Sequence, residues 1–310
     1  MNNQTRVTEF ILQGFSQIPQ VQVLLFVFFL TLYTVALCGN FLIVTAIAFS
    51  SGLHTPMYFF LVNLAVLNVA CACTVVPKLL EMLVAEKRTI SYEGCMTQMY
   101  FLSWSVAAEV LLFTAMAYDR YVAICQPLHY SSRMSPQVCA ALAIAVWTIS
   151  VLGAGVDACL MSRLTFCGPN IIDHFFCEIP PLLVLSCSST YVNDIMTIVA
   201  DIFFAVLNFL FTTVSYSYII STILKIRTAE GKRRAFSTCS SHLMVVAMYY
   251  STVISTYLSP GSSYSPEMGK GMAVLYSTVS PTLNPLIYTL RNKDVKAALK
   301  KVFTFLVEKL

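Results

Sequence analysis

Ionisable side chains set within long apolar segments are the residues of this sequence best placed to do chemistry. Glu109, Asp201 and His242 each interrupt such a segment, and the adjacent Asp119 and Arg120 close another, in MAYDRYVAICQPLHY. A charged group at membrane depth costs about 2.5 kcal/mol or more unless it faces a partner or water, so it is interpreted as functional by default. Only 11% of the residues are charged. The structure of the apolar segments around these five ionisable residues must therefore explain why the residues are there.

The composition indicates a membrane protein. Hydrophobic residues make up 57% of the 310, and the mean hydropathy is +0.74, whereas a soluble domain has about 45–50% apolar and about 25% charged residues. A helix needs about 20 mainly apolar residues to cross the hydrocarbon core. Charge-poor segments of that length occur at 21–49, 57–83, 92–124, 137–162, 191–224, 235–259 and 268–290. The sequence therefore predicts an all-α membrane protein of one domain, a seven-transmembrane helix bundle with a short amphipathic C-terminal helix.

Basic residues predict the orientation of the bundle. Most of the 19 Lys and Arg fall on one side, which the positive-inside rule assigns to the cytoplasm. We expect an extracellular N-terminus at 1–20, the seven-helix domain at 21–290, and a cytoplasmic amphipathic helix and tail at 291–310. The sequon at Asn3 agrees with an outer N-terminus and makes Asn3 a candidate glycosylation site. The first apolar segment is interpreted as a retained signal-anchor, because it is too long for a signal peptide and lacks a basic start.

The tail and the short loops carry the net charge of +4, which favours contact with anionic lipid over binding of nucleic acid. In the tail, Val295, Leu299, Val302 and Phe303 recur at helical spacing. This pattern predicts a helix lying on the inner leaflet.

Four of the eleven Cys are expected outside the membrane, namely Cys95, Cys167, Cys177 and Cys187. Disulfides persist there, and an even number fits two bridges, for which three pairings are possible. His174, Cys177 and Glu178 form HFFCE, whose ligand types suit Cu or Zn. An oxidised Cys177 would leave too few ligands, so no metal is expected.

The motifs of several function classes are absent. The chain has no G-x-x-x-x-G-K-S/T, H-E-x-x-H or G-x-S-x-G, so an enzyme has no nucleophile, metal set or phosphate cradle to use. A transporter usually shows paired repeats and several ionisable groups near the midplane. Signal transmission by helix movement is the remaining interpretation.

Five separated motifs, in order, resemble the odorant receptor family of rhodopsin-like G protein-coupled receptors. They are LHTPMYFFLVNL (53–64), MAYDRYVAICQPLHY (116–130), SY (215–216), RRAFSTCSSHL (233–243) and PTLNPLIYTLRN (281–292). The resemblance covers residues 8–301. The long loop at 163–190 with its three Cys also resembles that of the family, and the short third outer loop resembles that of the tetrapod-type class. It implies a receptor rather than an enzyme, without a cofactor, at the plasma membrane. The implied partners are a small-molecule odorant, membrane lipid and a heterotrimeric G protein of the stimulatory olfactory type, which would meet ICQPLHY, KIRTAEGKRRAFSTC and the C-terminal helix.

The resemblance also implies an activation switch, in which Asp119 holds Arg120 at rest and then frees it to face a partner. The alternative is that both residues merely anchor a helix end at the headgroups. The other implied members are Tyr216, Tyr288, Asn284, Pro285 and His242. His242 is expected either to hydrogen-bond across to span three or only to pack.

The implied ligand site lies between the outer halves of spans three, five, six and seven, and an alternative is that its members only line the bundle. Asp201 is expected either to favour odorants with a donor group or to bond to Ser or Tyr on neighbouring helices. The matching positions are Met99, Leu102, Ser103, Val106, Ala107, Ala200, Asp201, Phe204, Tyr250, Val253, Ile254, Tyr257, Val274 and Ser277.

Two further expectations depend on the resemblance. Cys95 is implied to pair with Cys177, and Cys167 with Cys187. Asn68 stands where the family usually has Asp, so a sodium site formed with Glu109 is expected to be weak, and Glu109 to be protonated or hydrogen-bonded to Asn68 and Asn284. The favoured function is an odorant receptor that raises cyclic AMP; a receptor for a non-odour metabolite and a channel or transporter are the alternatives.

Overall fold

Seven helical spans form the body of the molecule, so the predicted seven-helix bundle is confirmed. The computed structural model describes residues 7–16, 18–85, 88–257 and 266–308. In chain order the elements are β1 (Glu9–Leu12), α1 (Pro19–Ala48), α2 (Pro56–Val84), β2 (Thr89–Ser91), α3 (Tyr92–Cys125), α4 (Tyr130–Arg133), α5 (Pro136–Ser162), β3 (Ile171–Ile172), α6 (Ile179–Val184), α7 (Tyr191–Ala200), α8 (Asn208–Lys225), α9 (Ala229–Tyr257), α10 (Pro266–Val274), α11 (Ser280–Arg291) and α12 (Lys293–Glu308).

Spans five and seven each contain a wider turn that the sequence did not reveal. A π-helical segment, Asp201–Leu207, joins α7 to α8 as span five, and another, Leu275–Val279, joins α10 to α11 as span seven. Spans one, two, three, four and six are α1, α2, α3, α5 and α9. Within the described ranges, five helices, spans one to five, are long and apolar enough to cross a membrane. Large side chains such as Leu24 and Phe41 are 70% exposed on the outside of the bundle, as expected of surface that meets lipid tails.

Local signals start several helices where the sequence places them. Proline occupies the first turn of α1, α2 and α5, where its missing N–H has no helical partner to lose. Ser91 caps α3 by accepting from the N–H of Gly94 at 3.0 Å, and Ser135 caps α5 by accepting from Val138 at 3.4 Å. Side-chain caps of this kind satisfy donors that would otherwise be left unpaired at a helix start.

The core lies where spans one, two, three, six and seven meet. Fully buried Phe60, Leu64, Phe113 and Tyr249 belong to one apolar cluster there. In α12, Val295 and Leu299 join the same cluster and pack on the bundle. The side chains of Val302 and Phe303 lie outside the described residues, and contact of this helix with the inner leaflet remains a prediction. Asn292 caps this helix by accepting from the N–H groups of residues 294 and 295.

A small sheet covers the end of the bundle that carries the N-terminus, here called the N-terminal face. Strand β1 lies in the middle, antiparallel to β2 and parallel to β3. Fully buried Phe10 and Leu12 of β1 pack with Cys95, Phe166 and Cys177. The N-terminal segment is therefore a built part of this cap, which no alternation in its sequence had predicted.

Candidate functional site

Asp119 and Arg120 are paired with each other inside the end of α3 opposite the N-terminal face. Arg120 Nε donates to Asp119 Oδ2 at 2.8 Å, and Arg120 Nη2 contacts the same oxygen. Both side chains are buried. Asp119 Oδ1 accepts a third hydrogen bond, at 2.8 Å, from the hydroxyl of Tyr130 in α4. The arginine is therefore held, and its carboxylate is fixed from the neighbouring loop helix.

Tyr130 was quoted in the sequence motif but not singled out as a member of the switch. Burial, followed by the nearby Asp119 carboxylate, raises the pKa of Tyr130, so its hydroxyl stays protonated and donates. A tyrosine eleven positions from an Asp-Arg pair, beyond a helix end, has no periodic signal. Only the fold of the loop brings the two together.

His242 was expected either to hydrogen-bond to span three or only to pack, and its hydrogen bond is with span five. Its Nδ1 shares a hydrogen bond of 2.5 Å with the hydroxyl of Tyr216. Its ring packs against the ring of Phe113 in span three, with 6.2 Å between the ring centroids. The hydroxyl of Tyr216 is therefore hydrogen-bonded to span six. The buried hydroxyl of Tyr288 has no hydrogen-bond partner among the described residues.

Three amides link spans one, two and seven in the middle of the bundle. Asn68 donates to Asn40 Oδ1 at 3.0 Å and accepts from Asn284 at 3.1 Å, and Asn40 donates to the carbonyl of Pro281 at 3.0 Å. Glu109 does not bond to Asn68 or Asn284, contrary to one of the two expectations. Its buried Oε1 lacks a hydrogen-bond partner in the described part of the chain, and so does Asn284 Oδ1, because the amide groups of Asn68 and Asn284 donate to Asn40 and Asn68 instead.

The loop at 163–190 is tied down by two disulfides at the N-terminal face. Cys95 is joined to Cys177, with 5.4 Å between Cα atoms, and Cys167 to Cys187, with 5.9 Å. These are the two pairs that the resemblance implied. Between them Phe175 and Phe176 are fully buried and pack with Phe29, Leu79 and Leu102 of spans one, two and three. The loop therefore closes the bundle with aromatic side chains.

A polar group in the same loop contacts span seven. Tyr276 donates to Glu178 Oε2 at 2.7 Å, Glu178 Oε1 lies 3.4 Å from His174 Nε2, and Lys270 pairs with Asp173 at 2.7 Å. Burial raises the pKa of Glu178 to about 7. Burial, followed by the charge of Lys270, lowers the pKa of His174 to about 4. Tyr276 and Lys270 lie about 100 positions away in sequence, so no local pattern could have found them.

No group of three or more His, Cys, Asp or Glu able to hold a metal occurs within the described ranges. Cys177 of the HFFCE motif is disulfide-bonded and has no thiolate to offer. His174 and Glu178 remain as neighbours, two groups where a protein metal site usually needs at least three.

The predicted ligand residues of span three lie just below this cap. Met99 is buried with Cys95 and Cys177, and Leu102 with Phe175 and Phe176. Val106 is partly buried, and its carbonyl accepts from Tyr249 of span six at 3.4 Å. Of the remaining members, Tyr250 and Ser277 are buried, and Ser103, Ala107, Ala200 and Val274 are half-buried.

Asp201 and Phe204 lie toward span four. The ring of Phe204 packs against Gly153, whose added Cβ would be 3.5 Å from it. Asp201 lies near Asp157 of span four, close enough for their charges to interact unfavourably. Neither carboxyl forms a hydrogen bond to a described residue. Within the described residues, Asp201 therefore does not form the expected hydrogen bonds to Ser or Tyr.

Some predicted positions fall outside the described residues. Asn3 precedes them, and the side chains of Val253, Ile254 and Tyr257, near the end of α9, are likewise outside them. Their roles remain predictions.

Comparison with known proteins identifies the family. The Olfactory receptor family matches residues 29–306 of the chain. The chain belongs to the olfactory receptor family. Olfactory receptor 13A1 of Homo sapiens is 59% identical over 305 residues, 98% of this chain and 93% of that protein. Olfactory receptor 13G1 of Homo sapiens is 53% identical over 98% of this chain and 99% of its own length, and Olfactory receptor 1f45 of Rattus norvegicus is 45% identical over 97% and 96%.

Membership of the olfactory receptor family confirms the resemblance carried by the five motifs. The chain is a multi-pass membrane protein of a receptor class and not an enzyme. The paired Arg120 lies at one end of the bundle and the disulfide-tied loop at the other.

Proposed function

We propose that this olfactory receptor binds a small volatile odorant in the N-terminal half of the bundle and activates a stimulatory olfactory-type G protein, which raises cyclic AMP. The paired state of Asp119 and Arg120 carries the proposal, because a buried arginine held by its neighbour can be released by helix movement. Releasing it would present a cation to a partner.

The orientation supports an outer ligand and an inner partner. Both disulfides lie at the N-terminal face, and disulfides persist in oxidising compartments. Most basic residues lie in the loops and tail of the opposite face, as the positive-inside rule requires of a cytoplasmic side. We therefore assign the N-terminal face to the outside of the plasma membrane.

The cytoplasmic partner would dock beside the switch. A groove of about 370 Å³ runs along Cys125, Gln126 and His129 to Arg133, directly after α3. Leu128 in its wall is 95% exposed. Tyr130, the residue after His129 of the groove, donates to Asp119, so a protein bound here would lie next to the pair.

The ligand would lie below the aromatic cap, among the mainly apolar residues predicted on spans three, five, six and seven. An apolar site with a few hydroxyls suits a small volatile molecule held by shape. Asp201 would select odorants with a donor group only if its side chain turns from span four into that site. Asp201→Asn and Asp201→Ala, compared across an odorant panel, separate this role from a structural one.

Arg120→Ala is the variant that tests the proposed function. It is expected to lose agonist-driven cyclic AMP, because the cation that would meet the partner is gone. Signalling is compared at equal surface level, because the substitution leaves the buried Asp119 carboxylate with Tyr130 and without its cation. Cyclic AMP is measured in cells with a panel of odorants, and surface level with an antibody to an N-terminal tag.

Arg163→Ala is the matched control, since Arg163 is exposed at the N-terminal face and takes no part in the switch. It is expected to signal as the parent receptor does. Normal signalling by Arg120→Ala at equal surface level would refute the switch.

A further inference from the structure

Residues 173–178, here called the strut, are anchored on spans two and three. Cys177 is disulfide-bonded to Cys95 in the first turn of α3. Its N–H donates to Gln98 Oε1 at 2.8 Å, and Gln98 in turn donates to the carbonyl of Thr74 in α2 at 3.0 Å. One covalent bond and two hydrogen bonds therefore fix this end of the strut.

The strut is also bonded to span seven at two places. Glu178, the residue after Cys177, accepts from Tyr276 at 2.7 Å, and Asp173 pairs with Lys270 at 2.7 Å. Phe175 and Phe176, between these contacts, are fully buried. Because the middle of the strut is packed and both of its ends are bonded, its backbone has little freedom to change conformation.

Tyr276 lies in the π-helical segment Leu275–Val279 of span seven. A π-helical turn holds an extra residue, and such segments are rare and often found at functional sites. If this segment became α-helical, the part of span seven on one side of it would rotate about the helix axis, relative to the part on the other side, by about 100°, the angle per residue of an α-helix. A contact that fixes Tyr276 therefore favours one of two helical registers.

We propose that Tyr276 is a positioning residue, whose hydrogen bond to Glu178 couples the loop above the ligand site to the register of span seven. When a ligand displaces the strut, the bond breaks and the π-helical segment rearranges. The change then passes along α11 to Asn284 and Tyr288. The coupling rests on geometry alone, whereas its effect on signalling rests on the proposed function.

Hydrogen exchange of the purified receptor in nanodiscs tests the coupling directly. In Tyr276→Phe, amide exchange is expected to rise about five- to tenfold both in residues 173–178 and in residues 275–280, as loss of one hydrogen bond to a carboxyl predicts. Tyr33→Phe is the matched control, because within the described residues that hydroxyl bonds to Cys73 Sγ of span two, at 3.3 Å, and not to the strut or span seven. A rise confined to the loop, with 275–280 unchanged, would overturn the inference.

A double variant separates coupling from two independent losses. Adding Glu178→Ala to Tyr276→Phe is expected to give no further rise in residues 275–280, since the two side chains act through one bond. Additive rises in that segment would contradict a shared bond.

Signalling distinguishes this inference from the proposed function. Tyr276→Phe is expected to raise basal cyclic AMP and to lower the half-maximal odorant concentration by up to about five- to tenfold, because the ligand no longer has to break this bond. Tyr276→Phe with an unaltered basal level and an unaltered half-maximal concentration would count against the coupling. If exchange shows the coupling but the parent receptor never raises cyclic AMP, the proposed function fails and the coupling stands. If the parent receptor signals but exchange in 275–280 does not respond, the coupling fails alone.

Discussion

His174 and Glu178 are neighbouring side chains of one loop whose pKa values move in opposite directions. In the docked loop the pKa of Glu178 is raised from 4.5 to about 7, and that of His174 is lowered from 6.5 to about 4. A freed loop at about pH 5.5 would hold one proton, on His174, and the docked loop holds one, on Glu178. Docking therefore exchanges the proton between the two groups, and its free energy changes little with pH in this range.

Single substitutions at this pair should reveal opposite pH dependences. In His174→Phe only Glu178 titrates, and because its pKa is raised on docking, docking is favoured at low pH and weakened as the pH rises from about 4.5 to about 7. In Glu178→Gln only His174 titrates, and because its pKa is lowered, docking is complete above about 6.5 and weakens as the pH falls toward about 4. The neighbouring charges of Asp173 and Lys270 pair with each other and are present in both variants.

Hydrogen exchange of residues 171–184, corrected for the intrinsic pH dependence of exchange, measures docking in both variants. The parent receptor is the control and is expected to show the flattest profile. If protection of residues 171–184 changed with pH in the same direction in both variants, docking would not exchange a proton between His174 and Glu178.

At the scale of elements, the contact between spans one and seven depends on a glycine. A Cβ added at Gly39 of α1 would lie 3.0 Å from Cγ and 3.1 Å from Cβ of Pro285, closer than carbon atoms normally approach. Asn40, the next residue, bonds to the carbonyl of Pro281, so the two helices cannot separate without losing that bond.

Gly39→Ala is therefore expected to lower the free energy of unfolding by about 1–3 kcal/mol, the usual cost of overpacking. Gly155→Ala is the control, since nothing lies within 4 Å of its added Cβ and alanine favours a helix by up to about 1 kcal/mol. Thermal melting of the purified receptors compares them. Equal melting temperatures would mean that span one shifts freely past Pro285.

The elements also show which parts of the fold were predictable. Hydropathy placed α1 within two residues of each end, because apolar length alone defines a membrane helix. It missed the π-helical segments, since the composition of Leu275–Val279 does not distinguish the i→i+5 hydrogen bonds of a π-helix from the i→i+4 bonds of an α-helix. It also missed β1, whose partners lie in two distant loops.

Site residues, too, were predictable only where the local sequence carries a signal. Asp119 and Arg120 carry a signal because two charges stand together in an apolar chain. Tyr130 and Tyr276 carry none, because a tyrosine is common in such segments and only the fold sets its partner. The bond from His242 to Tyr216 was not predicted, since a lone histidine does not indicate which of its neighbours it meets.

At the scale of the whole molecule, the N-terminal segment joins parts of the chain that are far apart. Strand β1 pairs Ile11 with Thr89 in one loop and with Ile171 in another. Phe10 is fully buried, and its ring meets Phe166 edge-on at 5.4 Å. The cap, its disulfides and strand β1 therefore form one packed unit.

Phe10→Ala is expected to lower the free energy of unfolding by about 3–5 kcal/mol, as a cavity left by a buried phenylalanine does. Glu9→Ala, at an exposed neighbouring position, is the control and is expected to change it by about 0.5 kcal/mol or less. Thermal melting in nanodiscs measures both. A Phe10→Ala receptor as stable as the control would show that β1 contributes no packing.

The order of the strands in this sheet has a consequence for biosynthesis. Strand β1 leaves the ribosome first, yet β3, which forms one of its two edges, is made only after the first four spans. Until then β1 can pair with β2 alone, and its other edge is open to pairing with other chains, a known hazard of unpaired strands. Nascent receptors stalled before residue 171 should therefore depend more on chaperones that shield this edge than those released just after it.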